Sequence, residues 1–123
     1  MRFEAVRTGI ILKTERYQDC LSFYSRVLGL NVVSEKIDGD FFMSELAFGD
    51  AYLLVETGGQ YSSTAKGVDK NPITIRFDVT DARQVLALLR SHGVNADYYE
   101  YDWGKIVLAY DPDGNRVEFK AEP

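Results

Sequence analysis

Two glutamates each follow a valine, Glu56 at the end of AYLLVE (51 to 56) and Glu118 between two apolar residues in NRVEF (115 to 119). Side chains alternate along a strand, so if Val117 and Phe119 pack beneath a helix, Arg116, Glu118 and Lys120 point the other way. A carboxylate on such a face can bind a cation, move a proton or hold a ligand. If Glu56 and Glu118 share a pocket without a cation, their repulsion raises the pKa of one and suits the site to an amine or guanidine. The competing reading of Glu118 is an ion pair with Arg76 or Lys13. Both readings stand at the level of sequence.

The second chemical concentration is aromatic. The segment ADYYEYDWGK (96 to 105) carries Tyr98, Tyr99, Tyr101 and Trp103. In a regular strand Tyr99, Tyr101 and Trp103 share one parity, and such a wall suits flat or cationic ligands. The same rings would equally serve a core or a subunit interface. His92, the single histidine, falls at the end of a predicted helix, where it covers apolar surface or meets the helix's carboxyl-terminal dipole. Cys20 lies on the buried stripe of its helix and reads as a small core residue; no histidine stands near it in sequence to activate it.

The elements that must position these groups follow from periodicity. GIILK (9 to 13) predicts a strand, and Cys20, Tyr24, Val27 and Leu28 at helical spacing predict a helix over 17 to 28, stopped by Gly29. NVVSEKI (31 to 37), FFMSELAF (41 to 48) and AYLLVE (51 to 56) then form a three-strand meander through the turns Asp38-Gly39-Asp40 and Gly49-Asp50. ITIRFDV (73 to 79) predicts another strand, and Asp81 with Gln84 resembles a capping box for a helix that ends at His92-Gly93. Three further strands are expected near 97 to 101, 105 to 110 and 116 to 120.

Each half therefore reads βαβββ. Sliding one half along the other by 62 positions lays Leu46 on Leu108, Ala47 on Ala109, Val55 on Val117 and Glu56 on Glu118. The expected fold class is α+β, two tandem βαβββ modules forming a curved mixed sheet around a shared cavity. Module 1 spans 1 to 57, module 2 spans 72 to 121, and residues 58 to 71 form a linker long enough to be a flap over one end. By this alternation Glu56, Tyr52 and Leu54 face the cavity from the fourth strand, and Thr74, Arg76 and Asp78 from the fifth.

The 123 residues and ordinary composition set the expectation of a single domain. A net charge of −5, with 14 Lys and Arg scattered among 19 acids, argues against a nucleic-acid surface. No stretch approaches the roughly 18 apolar residues of a membrane span, and the acidic residue in MRFEAVRTGI interrupts any signal-like apolar core. A cytoplasmic location is expected. One cysteine allows neither an intrachain disulfide nor a cysteine-based zinc site.

LSFYSRVLGLNV (21 to 32), FDVTD (77 to 81) and DPDGNRVEF (111 to 119), in this order on a doubled βαβββ plan, resemble the vicinal oxygen chelate superfamily. That superfamily includes glyoxalase I, bleomycin-resistance proteins, fosfomycin-resistance enzymes and extradiol dioxygenases. The resemblance implies a divalent metal held from the first, fourth, fifth and eighth strands, usually with histidine on the first and fifth. Here the first-strand position falls on Gly9 and the fifth on Thr74. The fourth falls on Leu53 or Leu54 by the family's spacing and on Glu56 by the internal repeat. Only Glu118, on the eighth, matches cleanly. A transition-metal site needs about three converging ligands, so no metal and no other cofactor is expected. Mg²⁺ held by Glu56, Glu118 and waters is the minority alternative.

The resulting expectation is a metal-free small-molecule binding protein of the bleomycin-resistance type, sequestering an aromatic or cationic compound. Glu118, Glu56, Thr74, Arg76, Tyr52, Tyr99, Tyr101 and Trp103 would line its site. The alternative is a lyase, isomerase or dioxygenase with a non-standard metal site, or an acid-base catalyst using Glu118 and Glu56. A domain that only mediates protein interaction is a third reading. Because the family commonly dimerises and βαβββ sheets leave open edges, a homodimer is expected.

Overall fold

A computed structural model describes every residue, Met1 to Pro123. The chain forms two compact units, Met1–Tyr61 and Ser62–Pro123. The first contains β1 (Gly9–Thr14), α1 (Tyr17–Ser22), β2 (Val32–Asp38), β3 (Phe41–Phe48) and β4 (Ala51–Thr57). The second contains β5 (Ile75–Asp78), α2 (Ala82–Ser91), β6 (Ala96–Tyr101), β7 (Gly104–Tyr110) and β8 (Arg116–Ala121). Hydrogen bonding gives each unit its own four-stranded mixed sheet, in the orders β1-β4-β3-β2 and β5-β8-β7-β6. The first and last strands of each unit run parallel, and the other neighbours antiparallel. This is the expected doubled βαβββ plan.

In the first unit α1 packs on the sheet face that carries Leu46, Leu53 and Val55, each fully buried. Its inward residue is Cys20, joined by Phe23 and Tyr24 of the turn that continues it. Tyr17 reaches the same face: its hydroxyl shares a hydrogen bond of 2.5 Å with the Ser44 hydroxyl, and its ring meets Phe42. The single helix expected over 17 to 28 becomes a π-helical turn at Phe23–Val27, where the Leu28 amide donates to the Phe23 carbonyl. The wider turn reduces the angle between successive side chains, which brings the adjacent Phe23 and Tyr24 both inside.

The second unit follows its sequence signals closely. Asp81, in extended backbone, caps α2 by accepting from the Arg83 and Gln84 amides at 3.0 and 3.2 Å. The expected reciprocal Gln84 bond does not form, so this is a simple cap. Gly93 closes the helix at φ +74, with its amide donating to Arg90 and the Val94 amide to Leu89. Ala82, Leu86 and Leu89 pack against Ile75, Val107, Ala109, Val117 and Phe119, which form this unit's core.

Strand β5 is shorter than the expected 73 to 79. Pro72 has no amide proton, and the Ile73 amide turns to the Asn71 side chain. The carbonyl of Ile73 and the hydroxyl of Thr74 are claimed by Arg116. The segment before Ile75 is thus bound to a side chain instead of a ladder.

Candidate functional site

The strand registers decide which side chains share a face. In the first unit Gly9 pairs with Tyr52, Ile11 with Leu54 and Lys13 with Glu56. Across β3, Ala47 opposes Tyr52, Glu45 opposes Leu54 and Met43 opposes Glu56. These residues occupy the sheet face away from α1. Leu53, wholly buried, belongs to the helix side, so Tyr52, Leu54 and Glu56 are the fourth-strand residues on the helix-free face. In the second unit Arg76 pairs with Glu118 and Asp78 with Lys120, while Leu108 opposes Glu118 and Ile106 opposes Lys120. Tyr99 continues the Ile106 row and Asp97 the Leu108 row.

Each glutamate has its own cation. Lys13 Nζ stands 2.7 Å from Glu56 Oε1, and Arg76 Nε stands 3.2 Å from Glu118 Oε1. Both pairs come from neighbouring parallel strands at the same register. The premise of two carboxylates without a cation therefore does not hold, and of the two partners considered for Glu118 the structure selects Arg76. Asp78 also lies 3.9 Å from Arg76 Nε.

Gly9 is more than a missing ligand. A Cβ placed there would sit 2.2 Å from two ring carbons of Tyr52, because the ring lies across the glycine. The guanidinium of Arg7 stacks on the ring at 4.4 Å from its centroid, and Arg7 Nη2 donates to Glu45 Oε2 at 2.8 Å. Arg7 and Glu45 were absent from the sequence-based site. The signal that could have found them is the Gly9–Tyr52 register, which requires the strand pairing.

Thr74 is also committed. Its hydroxyl accepts from Arg116 Nε at 3.0 Å, and Arg116 Nη1 donates to the Lys66 carbonyl at 3.0 Å while Nη2 serves Asn71 and Ile73. Asp113, fully buried, accepts from the Ser62 amide at 2.9 Å, and the Lys66 amide donates to the Gly114 carbonyl at 2.8 Å. Asn115 Oδ1 accepts from Lys66 Nζ and Asn71 Nδ2. Residues 62 to 74, which include most of the 58 to 71 stretch expected as a flap and the start of the expected strand at 73, are thus a strap fastened to the turn at 111 to 116. Asp111 organises that turn by accepting from the amides of Asp113 and Asn115.

The aromatic parity expected for Tyr99, Tyr101 and Trp103 is present as a ladder. Tyr99 and Tyr101 stack at 6.3 Å, and Tyr101 and Trp103 at 4.8 Å with planes 3° apart. All three are exposed, at 42%, 48% and 55%. Tyr98, on the opposite face, sits under Arg83 and donates to Glu100 at 2.7 Å. That bond holds the Glu100 carboxyl below its ordinary range, with Arg83 assisting, and raises the Tyr98 phenol. His92 caps the end of α2, and Cys20 is buried with its thiol directed to the Thr14 hydroxyl at 3.6 Å. Hollows of about 440 and 380 Å³ open beside the starts of α1 and α2, and neither is lined by a predicted site residue.

The family's metal can be tested against these side chains. By register Glu56, opposite Lys13, is the counterpart on β4 of Glu118, opposite Arg76, on β8, and Leu54 lies two residues before Glu56 on the same face. The four positions are then a glycine under a ring, Leu54 or the lysine-paired Glu56 on β4, a threonine hydroxyl bound by arginine, and one glutamate paired with arginine. No group of three or more His, Cys, Asp or Glu converges as a metal site. This donor set, without histidine, does not fit a divalent transition metal.

No helix is long and apolar enough to cross a membrane. No curated protein matches the chain. Among solved structures, the fold is similar to a glyoxalase family protein from Enterococcus faecalis, with 22% identity, TM-score 0.72, and 95% of this chain and 96% of that one covered. It is similar to TnmS3, an antibiotic binding protein from Streptomyces sp., with 14% identity, TM-score 0.75 and full coverage of both chains. It is also similar to the fosfomycin resistance protein FosX from Listeria monocytogenes, studied with Mn(II) and 1S,2S-dihydroxypropylphosphonic acid. Identity there is 12%, TM-score 0.78, and coverage 98% of this chain and 95% of that one. The family model for the Glyoxalase/Bleomycin resistance protein/Dioxygenase superfamily matches residues 9–119, which spans both βαβββ units and the DPDGNRVEF turn, and the chain belongs to that superfamily.

Proposed function

We propose that this protein binds and sequesters a small aromatic or cationic compound without a metal. The observation that carries the reading is the fate of the four ligand positions. Gly9 and Thr74 supply no free donor, the fourth-strand position is Leu54 or the lysine-paired Glu56, and Glu118 is paired with Arg76. Sequestration requires neither a Lewis acid nor a nucleophile, and the ladder of Tyr99, Tyr101 and Trp103 supplies stacking surface on the second unit. The antibiotic-binding neighbour is consistent with this use of the fold.

The test is native mass spectrometry of untagged protein, freshly purified. A homodimer carrying an organic mass is expected, with that mass diminished in Trp103→Ala and Glu118→Ala. One divalent ion per chain that survives buffer exchange and disappears in Glu118→Ala would overturn the reading.

A further inference from the structure

The strongest unassigned feature lies on the helix-free face of the first unit. There the Tyr52 ring is held flat across Gly9, where any other residue would collide with it. Ala47 opposes Tyr52 on the other side and leaves that flank low. The exposed face of the ring is occupied by a planar cation, the Arg7 guanidinium at 4.4 Å, whose Nη2 donates to Glu45 at 2.8 Å. The aromatic floor and carboxylate wall belong to β4 and β3. Arg7 belongs to the segment before β1, which has no regular structure and is exposed throughout.

We infer that Tyr52 and Glu45 form a binding site for a planar cation, an amidinium, guanidinium or protonated aromatic amine, and that Arg7 is its resident intramolecular occupant. The inference deepens the small-molecule-binding reading and rests on it for biological meaning. Its chemistry stands on the first unit alone. A flat cation gains most from a ring face together with a carboxylate that accepts its in-plane N–H groups. Arg7 makes one such bond to Glu45, and a planar cation can lie over the ring while its edge N–H reaches the carboxylate, which a compact, strongly hydrated ammonium matches less well. Arg7 already makes both contacts, so its side chain shows what the site selects. Its side chain is 56% exposed, and that of Glu45 is 20%. The occupant is thus on the solvent side, and a competing ligand can replace it without rearranging the sheet.

Benzamidinium, which combines an aromatic ring with a planar amidinium, is the probe. It would be titrated by NMR into wild-type protein, Arg7→Ala, Arg7→Ala/Tyr52→Leu and Arg7→Ala/Tyr52→Phe, following methyl and amide shifts of Ile11, Ala47 and Leu54. Arg7→Ala should bind about tenfold more tightly than wild type, the order expected when one exposed cation–π contact and one exposed ion pair stop competing. Tyr52→Phe should retain this gain, and Tyr52→Leu should remove it. Equal affinity in wild type and Arg7→Ala, or a gain that survives Tyr52→Leu, would overturn the assignment. Failure here is distinguishable from failure of the sequestration reading, because the organic mass sought by native mass spectrometry is tested through Trp103 and Glu118 on the other unit.

Discussion

Replacing Gly9 by alanine adds one methyl group in a place where the structure allows none. The new Cβ would lie 2.2 Å from two Tyr52 ring carbons and 2.5 Å from a third, whereas ordinary contact begins at 3.4 Å. The ring must move by roughly the difference, about 1.2 Å, and the Arg7 guanidinium stacked upon it must follow. Overpacking of this kind costs about 1–3 kcal/mol. With an unfolding entropy near 2.1 cal/mol/K per residue, each kcal/mol lowers Tm by about 4 °C in a chain of this length. Differential scanning calorimetry should therefore show Gly9→Ala melting about 4–12 °C below wild type.

The cause is specific, so it has a specific rescue. In a Tyr52→Ala background the same glycine substitution should cost less than about 1 kcal/mol, because the ring that the added methyl meets is gone, and the difference is the coupling between the two residues. A Gly9→Ala protein that melts with wild type, or one that loses as much stability without Tyr52 as with it, would refute the placement of the ring. The same geometry predicts that Gly9→His alone creates no metal site, since the imidazole would have to begin inside the ring.

Two further outcomes follow from side chains outside that cluster. Arg116→Ala removes the donors that hold the Lys66, Asn71 and Ile73 carbonyls, and Asp113→Ala removes the acceptor of the Ser62 amide. Each should cost about 1–3 kcal/mol in global stability, and hydrogen exchange should speed selectively at residues 62 to 74; uniform exchange across the second unit would contradict the strap. Tyr98→Phe removes the largest cause of the depressed Glu100 pKa, so the Glu100 carboxyl should titrate closer to its ordinary value of 4.5. A depressed folded-state pKa contributes stability that is present above the unfolded value and lost as pH falls through the folded one. The acid side of the stability profile should therefore flatten in Tyr98→Phe, and an unchanged Glu100 titration by carboxyl NMR would remove Tyr98 as the cause.

Much of this architecture was legible because it is written locally. Asp81 precedes an amphipathic run and Gly93 follows it, and both do the capping their types favour. The strand at 41 to 48 and the alternation around Glu118 needed only period-two reading. The helix over 17 to 28 was right in place but wrong in pitch, since hydrogen-bond spacing responds to which two aromatic residues the sheet must receive. β5 starts at Ile75 and not at 73 because Arg116, more than forty residues away, competes for the polar groups before it.

Sequence by itself determined the repeat, the order of the elements and which strand residues share a face, since these depend on neighbours within a few positions. It put Glu56, Glu118 and Arg76 on the faces they occupy and Tyr99, Tyr101 and Trp103 in one row. Partnership was decided by tertiary structure. Register set Lys13 against Glu56 and Arg76 against Glu118, and it laid Tyr52 over the space Gly9 leaves. A side chain's type limits what it can bind, but its charge and ring faces are satisfied by whatever the folded chain brings within a few ångströms. That proximity is a property of strand pairing, to which linear spacing is blind.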